Sequence, residues 1–379
     1  MSIFRSDIML DDMSFLGRLK GTSWGLTILV TVIACIGFMS LYSAANGALD
    51  PWASRQIMRF IFSLGMMFAI ALVDIRIIYR AAWPAYGICI VLLIMVHLFG
   101  HVGMGAQRWL DLGIIKVQPS ELMKIATIMV LAKYFHGIEI QNITKLKTLL
   151  WPAGIIILPF ALIVTQPNLG TGLTIVFVSA ALLFAAGVSI WLFVIGAGAA
   201  AAAVPVVWMF MHDYQKNRVM TFLNPEADPL GTGFHIMQSK IALGSGGIFG
   251  KGFLEGSQSH LNFLPEKHTD FIFTLWAEEF GLVGGIFLLA LLAMVFLYGY
   301  WIAFRCRSTF GRLLSFGLMV NFSIYIFINI AMVMGLIPVV GIPFPLMSYG
   351  GTSMIAVMIG FGIMQSCYIN RDARLPRSF

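Results

Sequence analysis

Residues 271–304 read FIFTLWAEEFGLVGGIFLLALLAMVFLYGYWIAF, and from Phe280 to Phe304 no residue carries a charge. A hydrocarbon core of about 30 Å takes about 20 helical residues, so the run is long enough to cross a membrane and too long for one upright crossing. Its first turns are expected to lie outside the core or to tilt strongly. Working outward, comparable runs lie at about 22–43, 57–73, 81–99, 120–135, 149–165, 172–187 and 191–211 before it, and 313–336 and 348–368 after it. The runs are continuous rather than alternating, which excludes an outer-membrane β-barrel. The expected fold is all-α, a polytopic integral membrane protein with ten transmembrane helices in one domain spanning 1–379. The spans at 120 and 172 are short, as for helices packed inside a bundle.

Composition agrees: of 379 residues, 59% are hydrophobic and 11% charged, with a net charge of +7. Soluble domains are about a quarter charged, so no water-soluble globular fold fits. Cys35, Cys89, Cys306 and Cys367 are scattered without a CxxC, so neither a disulfide nor a thiolate metal site is expected. Basic residues in short loops mark the cytosolic side. With the N-terminus inside, the inner segments hold Arg18, Lys20, Arg76, Arg80, Lys145, Lys147, Arg305, Arg307 and Arg371. Both tails, 1–21 and 369–379, are then cytosolic, and the first span reads as a signal anchor rather than a cleaved signal peptide. The sizeable polar segment, 212–270, faces outward between the seventh and eighth spans. It is glycine-rich, with an amphipathic stretch at 234–243 suited to the bilayer surface.

Ionisable groups at membrane depth cost about 2.5–3.5 kcal/mol each, so each needs a partner or a function. Glu121 and Lys124 stand three apart near the outer end of the fourth span. They either pair to fix packing or bind a charged substrate in an outward cavity. Arg55 and Arg59 lie one turn apart at the start of the second span, and Arg108 sits in an outer loop. Such arginines either snorkel or, where Arg55, Arg108 and Lys124 converge, form a cationic pocket for a phosphate or pyrophosphate. Asp270 lies where the long loop re-enters the bilayer, flanked by phenylalanines that would desolvate it and raise its pKa. It is either a general base against a hydroxyl or the N-cap of the next helix. Lys240 is a candidate partner for Glu278 or Glu279. In GIPFPLMSYGGTS, 341–353, the prolines, glycines and hydroxyls, Ser348 among them, either present N–H groups to an anion or let helices pack closely.

Seven motifs carry a specific resemblance: GAQRWLDLG at 105–113, QPSELMK at 118–124, PNLGTG at 167–172, DPLGTGFHIMQSKIALGSGGIFGKGF at 228–253, FLPEKHTDFIF at 263–273, AEEFGLVGG at 277–285 and PFPLMSYGGTS at 343–353. In this order, over roughly 20–370, the chain resembles the SEDS family (shape, elongation, division and sporulation). The resemblance implies ten spans with both termini inside the bacterial inner membrane. It also implies a peptidoglycan glycosyltransferase of cell elongation and rod-shape maintenance that polymerises lipid II, the undecaprenyl-pyrophosphate-linked disaccharide pentapeptide, at the outer face. The implied partners are a class B penicillin-binding protein transpeptidase, elongation-complex membrane proteins and membrane lipids, and no nucleic acid. The family's essential aspartate falls on Asp270, and its fourth-helix acid and lysine on Glu121 and Lys124. Where members commonly carry aspartate after the fifth span, this chain has Asn168, which therefore cannot serve as a base.

The expected reaction is an inverting transfer with Asp270 as catalytic base and substrate-binding candidates Glu121, Lys124, Arg55, Arg108, Lys240, His268 and Ser348. Arg55, Arg108 and Lys124 would stabilise the leaving pyrophosphate, with or without a divalent cation, Mg or Mn, and with no other cofactor. The rival classes are a lipid II flippase, which should line both halves of its path with polar groups, and a non-catalytic scaffold for the transpeptidase.

Overall fold

A computed structural model of the chain describes residues 15–103, 106–111, 116–166, 168–211, 213–225, 232–260 and 266–376. Arg5 and the acidic residues of the N-terminal tail lie outside the described residues, as do the motif positions 228–231 and 263–265. The helices are α1 (Phe15–Lys20), α2 (Trp24–Ala44), α3 (Ala53–Ala71), α4 (Ile75–Phe99), α5 (Pro119–Gly137), α6 (Leu146–Val164), α7 (Leu169–Ala186), α8 (Ile190–Phe210), α9 (Asp213–Leu223), α10 (Thr232–Ser245), α11 (Ser257–His260), α12 (Ile272–Arg305), α13 (Thr309–Val333) and α14 (Gly351–Ile369). Ten of these have 18 or more residues, and each overlaps one predicted span. By length and composition seven are apolar enough to cross a membrane, against the ten expected, and α8 is apolar over the shorter Ile190–Val206. Of the remaining two, α3 carries Arg55 and Arg59, and α5 carries Glu121, Lys124 and Lys133.

The all-α expectation misses one small feature. Three short antiparallel strands, β1 (His101–Gly103), β2 (Ala106–Asp111) and β3 (Lys116–Val117), follow α4 in the order β1-β2-β3. Register runs from His101 opposite Trp109 to Gly103 opposite Ala106, then Leu110 opposite Val117. The strands are too short for periodicity to reveal, and they carry Arg108 on β2.

The bundle is built around α5, which is buried along nearly its whole length and packs against α4, α6, α7, α13 and α14. Its apolar run reads short because charged residues sit toward both ends, Glu121 and Lys124 in the first turns and Lys133 near the last. Helix α14 packs along α3, and α12 against α13 and α2. At one end of the bundle, Ser23 N–H donates to Gln365 Oε1 at 2.7 Å and Arg307 N–H to the Arg371 carbonyl at 2.9 Å. The start of α2 and the end of α14 therefore share one end with Arg18, Arg305, Arg307 and Arg371. The strands, α9–α11 and the 337–350 segment occupy the other. Helix α10 does not lie free on a surface as its amphipathic pattern predicts: Ser239 Oγ lies 2.9 Å from Thr274 Oγ1 and donates to the Val333 carbonyl at 2.9 Å.

The long run α12 neither tilts as one rod nor simply protrudes; it breaks at Gly281, where φ is 64° and ψ −159°. The glycine-rich strip before α11 heals the break. Lys251 and Gly252 N–H donate to the Glu278 and Glu279 carbonyls at 3.1 and 3.0 Å, and Leu282 and Val283 N–H donate to Gly247 and Ile248 at 3.0 Å each. Approach this close requires glycine on both sides: a Cβ on Gly250 would stand 2.0 Å from the Glu279 carbonyl oxygen, and one on Gly281 2.3 Å from Gly250 N. Positive φ alone costs a non-glycine residue about 1–2 kcal/mol, before the clash is counted. Gly281→Ala is therefore expected to destabilise the fold by at least about 2 kcal/mol. The check is the thermal midpoint in detergent, with Gly285→Ala as control, since nothing lies within 4 Å of a Cβ placed there.

Candidate active site

At the end away from the chain termini, the turn 266–271 leads into α12. Three consecutive carbonyls of this turn are each held by a different donor. His268 O accepts from Tyr349 N–H at 2.8 Å, Thr269 O from Ser348 Oγ, and Asp270 O from Asn329 Nδ2 at 2.8 Å. Within the turn, Thr269 Oγ1 donates to Glu266 Oε2 at 2.6 Å. The 348–350 segment is in turn held by α3, whose Gln56 Nε2 donates to Ser348 O at 3.0 Å while Gly350 N–H donates to Gln56 Oε1 at 3.3 Å. Arg59, one turn further along α3, stacks over the Tyr349 ring at 4.6 Å.

Asp270 is not the helix N-cap. Phe271 holds that position, and the Asp270 carboxylate accepts no hydrogen bond from the described residues. Burial, helped by the charge of Glu266, pushes its pKa up from 3.8 to about 6, against the pull of Arg218 and Arg108. Desolvation dominates, as expected of a carboxyl walled in by apolar groups. Its Oδ2 faces Gly341, where a Cβ would come within 3.5 Å. His268 stacks flat on Trp52, 4.4 Å between centroids, and burial lowers its pKa.

Arg108 and Arg218 also line a cavity of about 370 Å³ between α7, α9, α13 and the 337–340 segment. Asn168 and Gln215 add amide groups, and Phe177, Ile328 and Val340 contribute apolar walls. Arg218 Nη1 is anchored by the Val339 carbonyl at 3.2 Å. Asn168, the N-cap residue of α7, accepts from Thr171 Oγ1 at 3.0 Å. Two guanidiniums beside an apolar slot and a carboxylate suit an amphiphile with an anionic head. Among the described residues no group of three or more His, Cys, Asp or Glu side chains is placed to hold a metal ion.

Of the predicted cluster Arg55, Arg108 and Lys124, only Arg108 lines this cavity. Arg55 is exposed on the first turn of α3. Lys124 is buried against Glu121 at 2.8 Å, with Tyr325 OH donating to the same carboxylate oxygen at 2.8 Å and the lysine Nζ 3.7 Å from the Tyr325 ring centroid. The pair thus meets, as its spacing predicts, in a closed triad joining α5 to α13. Ser348 spends its hydroxyl on backbone, accepting from Phe344 N–H at 2.8 Å as it donates to Thr269. Lys240 is exposed beside Gly335 and does not serve Glu278 or Glu279. Lys251 pairs with Glu278 at 2.8 Å, and Ser43 donates to Glu279. The sequence reading missed Arg218, Gln56, Lys251 and Asn329. Asn329 left a signal, as a lone amide in the apolar stretch IYIFINIAMV; Arg218 left only a charge in a mixed helix.

Comparison with known proteins places this geometry. Residues 22–373 match the family model FtsW/RodA/SpoVE, described as cell cycle protein. The chain is 44% identical over 347 residues to the peptidoglycan glycosyltransferase MrdB of Escherichia coli K12, covering 91% of this chain and 93% of that one. It is 31% identical to the peptidoglycan glycosyltransferase RodA of Treponema pallidum, covering 92% and 98%. Among solved structures it resembles a chain of a peptidoglycan synthase complex that coordinates polymerization and crosslinking, with TM-score 0.81, 31% identity and coverage of 92% and 98%. The rod-shape-determining protein RodA of Thermus thermophilus matches with TM-score 0.71, 28% identity and coverage of 93% and 98%.

The closed triad carries a stability prediction. Removing one partner of a buried ion pair costs about 3–5 kcal/mol, because the other charge is left uncompensated. Lys124→Met and Glu121→Gln should each lower the thermal midpoint strongly. The double variant should recover much of the loss, giving a large coupling in a double-mutant cycle.

Proposed function

This chain belongs to the FtsW/RodA/SpoVE family of cell cycle proteins, and from that premise we propose that it is a peptidoglycan glycosyltransferase that polymerises lipid II at the outer face of the bacterial inner membrane during cell elongation. The observation that carries the mechanism is the Asp270 carboxylate, largely buried and accepting no hydrogen bond from the described residues, beside Arg108 and Arg218. The 4-hydroxyl oxygen of the acceptor's terminal sugar attacks the anomeric carbon of the donor. The bond from that carbon to the diphosphate oxygen breaks with its electron pair, and the hydroxyl proton passes to Asp270. One displacement inverts an α-linked donor to a β-1,4 product, so a single carboxylate and no enzyme nucleophile suffice. Arg108 and Arg218 neutralise the leaving diphosphate, and the apolar slot accommodates the first part of its lipid tail.

The termini face the cytosol in this reading, supported by the arginines gathered around them. A flippase would need charges open to a path through the bundle, whereas Glu121 and Lys124 are satisfied by each other and Tyr325. The related synthase complex, which couples polymerization to crosslinking, supports a transpeptidase partner of the class B penicillin-binding type, docked among elongation-complex membrane proteins.

Asp270→Asn is expected to abolish glycan-ladder formation from purified lipid II, by about 10²-fold or more, while leaving partner binding intact. Undiminished polymer would overturn the assignment of the base. Since only the ionised carboxylate accepts a proton, the wild-type rate should rise about tenfold per pH unit below about 6 and level above it. Arg218→Ala should lower kcat/KM by about tenfold to a hundredfold. It should also move the midpoint to higher pH, because Arg218 holds the Asp270 pKa down.

A further inference from the structure

We propose that Asn329 is a positioning residue for the reaction: its side-chain amide sets the place of Asp270 by clamping together the two backbone segments on either side of that carboxylate. This rests on the reading of Asp270 as the base. Asn329 lies on α13, fully buried, and its Nδ2 donates at once to the Asp270 carbonyl at 2.8 Å and the Ile342 carbonyl at 2.7 Å. With carbonyl oxygens as both neighbours, the nitrogen must face them, so the amide orientation is fixed by chemistry. The two clamped residues bracket the site. Asp270 bears the carboxylate, and Ile342 follows Gly341, the glycine that the same carboxylate faces.

The other two pins on the turn act further from the base. Tyr349 N–H holds His268 and Ser348 Oγ holds Thr269, while the Asp270 carbonyl is left to Asn329. No residue but asparagine or glutamine offers two neutral donors on one planar nitrogen, and an aspartate of the same shape would turn an acceptor toward both carbonyls. Asn329 Oδ1 has no hydrogen-bond partner among the described residues. Freed of the clamp, Asp270 would gain room to turn toward water, losing both its alignment with the hydroxyl and the desolvation that raises its pKa. Displacement of a catalytic group by about 1 Å is enough to cost about a hundredfold in rate.

The experiment is lipid II polymerisation by the full chain with its transpeptidase partner, measuring kcat, KM and the pH midpoint of kcat. The set is wild type, Asp270→Asn, Asn329→Leu and Asn329→Gln. Asn329→Leu keeps the volume and removes both donors. It is expected to lower kcat about tenfold to a hundredfold with KM for lipid II nearly unchanged, and to move the midpoint from about 6 toward the ordinary carboxylate value. Asn329→Gln, which keeps the donors on a longer arm, should fold, recover part of kcat and bring the midpoint part of the way back. It decides the matter alone if the leucine variant does not fold. A wild-type kcat and midpoint in the folded variants would overturn the proposal, as would a rate loss with an unmoved midpoint. An active Asp270→Asn would instead remove the reading on which it rests.

Discussion

In hydrocarbon a backbone N–H or C=O has no water to turn to, so any interruption of a membrane helix must be satisfied by other protein atoms. That constraint organises the end of the molecule away from the chain termini. Helix α12 breaks at Gly281, which frees carbonyls on one side and N–H groups on the other, and residues 247–252 supply the missing partners in both directions. The repair ties the long loop to the bundle. Because α10 directly precedes the strip and is itself fastened by Ser239, the loop becomes a packed layer over the bundle end, with Glu278 paired beneath it to Lys251 and Glu279 accepting from Ser43.

The same constraint governs the site. The turn before α12 has carbonyls that would be orphaned at the membrane boundary, and three of them are taken by donors from 348–349 and α13. Backbone satisfied in this way cannot drift, so a carboxylate mounted on it keeps its place without a hydrogen bond of its own. That freedom is what a base requires. A carboxylate already accepting N–H bonds would have a lowered pKa and weakened proton affinity, whereas Asp270 is held by its main chain and left unsolvated at its side chain.

How much of this was legible in the sequence follows from range. Hydropathy is a local signal, so each of the ten long helices overlaps an expected span. The raised pKa of Asp270 was legible too, because its apolar neighbours in the chain signal burial, and burial is its main cause. Pairings across the fold were legible only where helical spacing enforced them, as with Glu121 and Lys124 at i and i+3. Lys240 looked like a partner for Glu278 because it lies on an amphipathic helix. The strip that grafts onto the α12 break brings Lys251 there instead, and nothing local in the sequence encodes that graft. The cationic cluster failed in the same way: Lys124 faces Tyr325, and the second guanidinium beside Arg108 comes from Arg218, more than a hundred residues away on α9.

Asn168 gains its meaning from that cavity. As an aspartate at the head of α7 it would place a carboxylate on the same wall as Arg108 and Arg218, offsetting part of their charge and adding to the repulsion that already raises Asp270. As an amide it accepts from Thr171 Oγ1 and adds no negative charge to the wall that carries Arg108 and Arg218. A leaving diphosphate gains negative charge as the anomeric bond breaks, and an amide at this position opposes that charge less than an aspartate would.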